Sequence, residues 1–151
     1  MPKVNAIIAD IDECLCETNF IFDEAAHKQL WGNDLWDYFH QNVHRCIPNP
    51  WCVDLIKKYS QSHFIIFITA RSEEIREITE EFLRTNLGFK SFTLAMRPLN
   101  DTRPSAEVKE MLLKELQADL DLNILFAIDD EEDNCRMFKN SGITALKVFK
   151  G

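Results

Sequence analysis

The chain has 151 residues, enough for one domain with a sizeable core. Its 17 basic and 25 acidic residues leave a net charge of −8, a composition that argues against gripping nucleic acid along a long phosphate track. Apolar runs such as residues 64–68 are far too short to span a bilayer, so no membrane association is expected.

Residues 1–12 lack a charged leader followed by an apolar core and a cleavage site. With five irregularly spaced cysteines, at 14, 16, 46, 52 and 135, this points to free thiols in a reducing, cytoplasmic compartment.

The first element, residues 4–14 (VNAIIADIDEC), is a nearly continuous apolar run that ends in Asp10 and Asp12. Such a run predicts a strand buried on both faces, as in a parallel sheet covered by helices. Residues 23–35 and 36–45 are aromatic and mixed polar, and predict two short helices broken at Gly32-Asn33. The Ile47-Pro-Asn-Pro50 sequence is a stiff turn, and residues 51–60 carry Val53, Ile56 and Tyr59 at helical spacing. Residues 17–61 thus form an insert after the first strand that could act as a small lid.

A second buried strand, residues 63–68, runs into Thr69-Ala-Arg71, and Ser72 is placed to cap a helix with Ile75, Ile78 and Phe82 on its apolar face and Gly88 at its stop. Residues 91–96 predict a third strand, followed by a polar loop containing Arg97 and Arg103. Ser105 is expected to cap a helix with Lys109 near its start. Residues 123–128 (NILFAI) predict a fourth strand ending in Asp129-Asp130, then come a short helix stopped at Gly142 and a fifth strand at 144–149. Strands alternating with helices mean an α/β doubly wound parallel sheet, in one domain with an insert. Right-handed crossovers bring these strand ends to one edge.

Four segments then converge: Asp10/Asp12, Thr69/Arg71, the loop leading to Lys109, and Asp129/Asp130. Carboxylates from two strands make a hard oxygen site suited to Mg²⁺. A hydroxyl and two cations complement the oxygens of a phosphoryl group. One carboxylate could attack phosphorus while a second, two residues on, moves the proton. The blander readings are a strand-end turn for Asp10 and Asp12, helix capping by Asp129 or Asp130, and surface roles for Lys109 and Arg71, the latter paired with Glu74. Trp31, Trp36 and Trp51 are expected to pack the insert against the sheet rather than stack a base. His40, His44, Cys46 and Cys52 fit no common zinc spacing.

Asp10-x-Asp12, Thr69-Ala-Arg71, Lys109 and Asp129-Asp130, in this order and each beside a predicted strand, resemble the four motifs of the haloacid dehalogenase (HAD) superfamily. The stretch from Met96 through Arg103-Pro104 to Lys109, the 47–50 turn and Ala127-Ile-Asp-Asp-Glu131 resemble more narrowly the 3′-phosphatase domain of bacteriophage-type polynucleotide kinase.

The resemblance implies Asp10 as nucleophile and Asp12 as general acid/base. It implies Mg²⁺ on Asp10, the Asp12 backbone carbonyl, Asp129 and Asp130, a phosphoryl group held by Thr69, Arg71 and Lys109, and substrate contacts from Arg97 and Arg103. The implied ligand is a phosphorylated small molecule or a nucleic-acid terminus, and a separate kinase or ligase is the implied partner. The expected activity is that of a polynucleotide 3′-phosphatase. The alternatives are a 5′(3′)-nucleotidase acting on mononucleotides and a catalytically degenerate phosphate-binding protein.

Two departures stand out. Glu13-Cys14 follow the second aspartate where the superfamily usually has Gly and then Thr or Val, and Ser105 stands where the phosphatase domain tends to carry an acid. Glycines occur only at 32, 88, 142 and 151, so these residues contain no phosphate-cradling Gly-x4-Gly-Lys loop.

Overall fold

A computed structural model describes residues 2–149. Strands β1 (Val4–Ala9), β4 (Phe64–Ser72), β5 (Thr93–Arg97), β6 (Leu122–Asp129) and β7 (Ala145–Lys147) form a parallel sheet in the order β5-β4-β1-β6-β7. A two-stranded antiparallel ribbon, β2 (Cys16–Glu17) with β3 (Ile47–Pro48), lies outside it. The fold is an α/β parallel sheet covered by helices on both faces, as expected.

The continuous apolar strands are explained by two cores. Alternate residues Ile7 and Ala9, with Ile65 and Phe67, join one cluster with helix α3 (Pro50–Tyr59) through Cys52, Val53 and Ile56. The intervening Ala6, Ile8, Ile66 and Ile68 join a second cluster with α5 (Ser105–Asp119) and α6 (Glu132–Asn140) through Val108, Leu112 and Phe138. With a side-chain period of two, a strand covered on both faces has to be apolar at every position.

Between β1 and β4 lie α1 (Asn19–His27) and α2 (Asn33–Asn42). The break at Gly32 is as expected, and its φ of 61° lies in the left-handed region that glycine occupies freely. Helix α1 starts and ends earlier than its aromatic pattern suggests, because its first amides are capped by a residue before the ribbon, Glu13. The three tryptophans do not bury themselves between the insert and the sheet as expected. Trp31 is 82% exposed, and Trp36 and Trp51 are each 52% exposed. The helix pair is instead joined by Phe22 and Phe39, stacked with centroids 4.6 Å apart, above buried Ile21 and Val43.

The Ile47-Pro-Asn-Pro50 sequence does more than turn. Ile47 and Pro48 form β3, Asn49 donates its backbone N–H to the Leu15 carbonyl at 2.8 Å and its side-chain amide to the Cys14 carbonyl at 2.9 Å, and Pro50 opens α3.

Further boundaries differ from the sequence expectation, among them α2, which starts and ends three residues earlier, and β7, which is shorter. Strand β4 continues past Ile68 to Ser72, with an irregular register before the Ser72–Arg97 pairing, because the polar groups of Thr69 and Arg71 find partners in the structure. Ser72 does cap the next segment, accepting the Glu74 amide at 3.1 Å, but that segment divides into a 3₁₀ turn, α4 (Arg76–Glu81) and a π turn over Phe82–Asn86. Ser105 is the first helical residue rather than the cap. Pro104 takes the N-cap position, its carbonyl accepting the Glu107 and Val108 amides, and the Ser105 hydroxyl accepts from Asn134. No described helix is long and apolar enough to cross a membrane.

Phe67 is fully buried in β4, in edge-to-face contact with Phe89 and Phe92 at 5.2 and 5.4 Å. Phe67→Ala is expected to lower unfolding stability by about 3–5 kcal/mol in a urea titration.

Candidate active site

Because the sheet is parallel, β1, β4 and β6 end on one edge, and Asp10, Asp12, Asp129 and Asp130 gather there. Asp10 follows β1 directly, its amide donating to the Ile128 carbonyl at 3.0 Å, which fixes the strand end against β6. Asp129 closes β6, and its Oδ1 accepts the Glu131 amide at 3.0 Å and the Asn134 amide group at 3.2 Å. Lys109, from the first turns of α5, reaches between them. Its Nζ lies 2.9 Å from Asp10 Oδ1 and 2.6 Å from Asp129 Oδ2. All three residues are buried.

Burial pushes the Asp10 carboxyl well above the usual carboxylate range. Lys109 opposes that shift, while Asp129, Asp130 and Asp12 add to it. Burial also works to lower the Lys109 ammonium, but the charges of Asp10 and Asp129 outweigh it and leave its pKa above the ordinary value. Asp130, at the mouth, is pushed up to about 6, chiefly by burial.

A second ion pair stands beside the first. Arg71 is buried in the extended part of β4 and forks onto Asp12, with Nη2 2.6 Å from Oδ1 and Nε 2.9 Å from Oδ2. Its Nη1 donates to the Thr79 hydroxyl at 3.1 Å. Such two-point guanidinium–carboxylate pairs fix orientation as well as charge. The alternative pairing of Arg71 with Glu74 is not formed, and Glu74 lies 3.3 Å from His40 Nδ1. Thr69 is buried beside Arg71, accepting the Arg71 amide at 3.1 Å.

The loop residues occupy the rim. Arg97 donates to the carbonyls of Ala70, Asp101 and Arg103 and so holds the loop in shape, while the more exposed Arg103 pairs with Asp101 at 2.6 Å. All nine candidate residues except Asp129 line one cleft of about 820 Å³, and Asp129 sits directly behind Asp10 and Lys109. The insert contributes the opposite wall, with Phe22, Trp36, Phe39 and His40.

Sequence reasoning did not single out Asn134 as a partner of Asp129, or Thr79 as a partner of Arg71. Each lies one to two helical turns beyond a motif residue, and side chains of this kind are found only once the helix direction is known. Glu13 was noticed only as a departure. Its Oε2 accepts the backbone N–H groups of Thr18 and Asn19, the latter at 2.9 Å, so it supplies the cap that Thr18 does not give α1. Cys14 is buried with its sulfur 3.7 Å from that of Cys52. Hydrogen bonding to Cys52, together with burial, holds its thiol far above the ordinary value, which removes it as a nucleophile.

One nest also fits a cation. Ligand oxygens of Asp10, Asp129 and Asp130 can all lie within 4.8 Å of one another. Three carboxylates against one lysine make a hard, electron-rich donor set of the kind Mg²⁺ prefers.

The family model of the polynucleotide kinase PNKP phosphatase domain matches residues 4–151. The chain belongs to that family. This HAD phosphatase domain is accordingly a phosphoric monoester hydrolase.

Solved structures share its fold at low sequence identity. A chain of the Pnkp1/Rnl/Hen1 RNA repair complex superposes with a TM-score of 0.75 and 24% identity, covering 96% of this chain and 42% of that one. A haloacid dehalogenase-like hydrolase from Streptococcus pneumoniae gives 0.67 and 14%, covering 98% and 86%. A class C acid phosphatase from Bacillus anthracis with tungstate bound gives 0.64 and 16%, covering 94% and 63%. The phosphatase domain spans less than half the length of the RNA repair chains it matches. No curated protein sequence matches it significantly.

The two ion-pair nests differ in redundancy. Removing the Asp10 charge leaves Lys109 paired with Asp129 and relieves repulsion among three acids, whereas removing Asp12 strips the buried Arg71 of its carboxylate. In urea unfolding, Asp12→Ala is expected to lose about 2–4 kcal/mol, and Asp10→Asn to match or exceed the wild type.

Proposed function

We propose that the domain is a Mg²⁺-dependent polynucleotide 3′-phosphatase working through an Asp10 aspartyl-phosphate. The observation that carries this reading is the convergence of Asp10, Lys109 and Asp129 from three separate elements on one buried point at the sheet edge, with Thr69 lining the same cleft.

In this reading Asp10 attacks the phosphorus of the 3′-phosphate and displaces the 3′-oxygen, and Asp12 delivers a proton to that oxygen as it leaves. Asp12 then takes a proton from the water that hydrolyses the acyl-phosphate, which restores both carboxyls and releases phosphate. Lys109 and the Thr69 hydroxyl face the phosphoryl oxygens, and Lys109 opposes the burial that favours the protonated form of Asp10. Arg71 acts on Asp12, fixing its carboxylate through the two-point contact, in place of the phosphoryl contact suggested by the family resemblance. Asp10, Asp129, Asp130 and the Asp12 backbone carbonyl would hold Mg²⁺, which when bound supplies positive charge opposite the developing phosphoryl charge. Arg97 and Arg103 shape the rim over which the strand end enters.

Residues 17–61 serve as a small cap on a single phosphatase domain. The free cysteines suit a cytoplasmic setting. A separate kinase or ligase would prepare or use the end this domain produces, which is supported by its likeness to part of a chain in an RNA repair complex.

The test is phosphate release from a 3′-phosphorylated oligonucleotide, its 5′-phosphorylated equivalent and a set of mononucleotides, with Mg²⁺ and with chelator. Release confined to the 3′-phosphorylated oligonucleotide and lost on chelation is expected. A preference for mononucleotides would make the protein a nucleotidase instead, and silence on all substrates would make it a degenerate phosphate binder. Asp10→Asn should reduce turnover by at least ~10³-fold, because the nucleophile itself is lost.

Mg²⁺ should also raise the melting temperature of the wild type, in the manner of any ligand bound only by the folded state. Asp129→Ala should abolish that rise, and a calorimetric melt reads both effects without any substrate.

A further inference from the structure

We propose that Trp36 is a stacking platform for the nucleobase next to the scissile phosphate, and that it sets the preference of the site for a nucleoside-borne phosphate over a bare one. The inference rests on the phosphatase reading above and adds the residue that recognises the rest of the substrate.

The cleft offers little to hold a polyanion. Its cations are Arg71, Arg97, Arg103 and Lys109, and each already faces carboxylates or backbone carbonyls. Asp37, Glu74 and Glu131 on the same walls repel a phosphate backbone. Affinity for the rest of the substrate therefore has to come from uncharged contacts.

The insert wall supplies one. Trp36 is 52% exposed and lines the cleft, yet its indole is not loose. It is braced edge-on by Phe22 at 5.8 Å and by Phe39 at 6.1 Å, and those two rings are stacked on each other. A large apolar ring that packs edge-on against two neighbours and is still left half in water presents surface that the fold itself does not use. It is well suited to stacking a planar ligand, since little side-chain freedom remains to be lost on binding. In a 3′-phosphorylated end the base sits on the same sugar as the phosphate, so a phosphate held at Asp10 and Lys109 brings that base into the same cleft. Stacking reads a π-face and so tolerates any base sequence. Trp31 and Trp51, also exposed, do not line the cleft.

The test compares the wild type with Trp36→Ala, Trp36→Phe and Trp31→Ala on two 3′-phosphorylated oligonucleotides, one with an ordinary terminal nucleotide and one whose terminal sugar is abasic. For the wild type, KM on the abasic end should be higher by roughly five- to a hundredfold, the range expected for one base–aromatic stack. Trp36→Ala should raise KM on the ordinary end by a similar factor, with kcat changed far less, and the abasic-to-ordinary ratio should collapse towards one. Trp36→Phe should restore most of the difference, and Trp31→Ala should behave as wild type. Because each nucleotide contact would be uncharged, the Trp36→Ala effect should persist from low to high salt, whereas a phosphate contact would fade.

An independent reading is quenching of tryptophan fluorescence when the Asp10→Asn protein binds the ordinary oligonucleotide. That quenching should be weaker with the abasic one, and it stays informative if Trp36→Ala folds poorly. Active enzyme with equal KM values for Trp36→Ala and wild type, or no penalty for the abasic end, would overturn this proposal alone. Absence of any 3′-phosphatase activity would overturn the phosphatase reading and this proposal with it.

Discussion

The buried ammonium of Lys109 is the interaction on which the rest of the site depends. Two adjacent parallel strands, β1 and β6, each end in an aspartate, and these two carboxylates meet in a region that excludes water. Burial favours the protonated form of Asp10, and the neighbouring carboxylates add to that pressure. One lysine, 2.9 and 2.6 Å from the pair, changes that balance and at the same time ties α5 to the sheet edge. The constraint works in both directions. The lysine is tolerable at full burial only because two carboxylates face it, and the carboxylates share one place only because the lysine separates their charges.

The second carboxylate of the Asp-x-Asp motif is kept apart from this nest. Asp12 turns towards Arg71 and lies at the more open side of the cleft, while Asp10 turns inward to Lys109. A continued strand would put both side chains on one face, so their separation depends on the chain leaving β1 after Ala9, with Asp10 held to Ile128 and Asp12 bridged to Cys16 in the loop beyond. The motif therefore yields two acids in unlike surroundings, one buried and braced by an ammonium, the other held by a guanidinium where leaving group and water can reach it. That difference is the physical basis for giving them different tasks.

The parallel sheet and the meeting of the four motif segments were legible because each rests on a short-range rule: apolar runs buried on both faces, and parallel strands that end on one edge. What was not legible depended on partners distant in sequence. The continuation of β4 through Thr69 and Arg71 breaks the apolar pattern, and follows from contacts with Asp12 and Thr79. Ser105 has the composition of a cap, yet Pro104 takes that position. The three tryptophans were expected inside because large apolar side chains usually are, but two phenylalanines already join α1 to α2 and leave the indoles outside. Hydrophobicity alone does not say which of several aromatic residues a small insert needs for its own packing.

Glu13 shows how a departure from a family pattern becomes readable once the backbone is known. Its φ of 61° is a conformation that suits the glycine usual in the superfamily, and a side chain there costs on the order of 1 kcal/mol. The carboxylate offsets that cost by accepting the first amides of α1 and meeting the positive end of its dipole. The Glu13 amide, in turn, donates to the Cys16 carbonyl at 2.7 Å, while Asn49 holds the carbonyls of Cys14 and Leu15. The loop that carries Asp10 and Asp12 is thus fastened at one end to α1 and at the other to the start of α3. The insert and the acid-bearing loop are tied to each other by hydrogen bonds at both ends. A glycine at position 13 would leave the same loop free of α1.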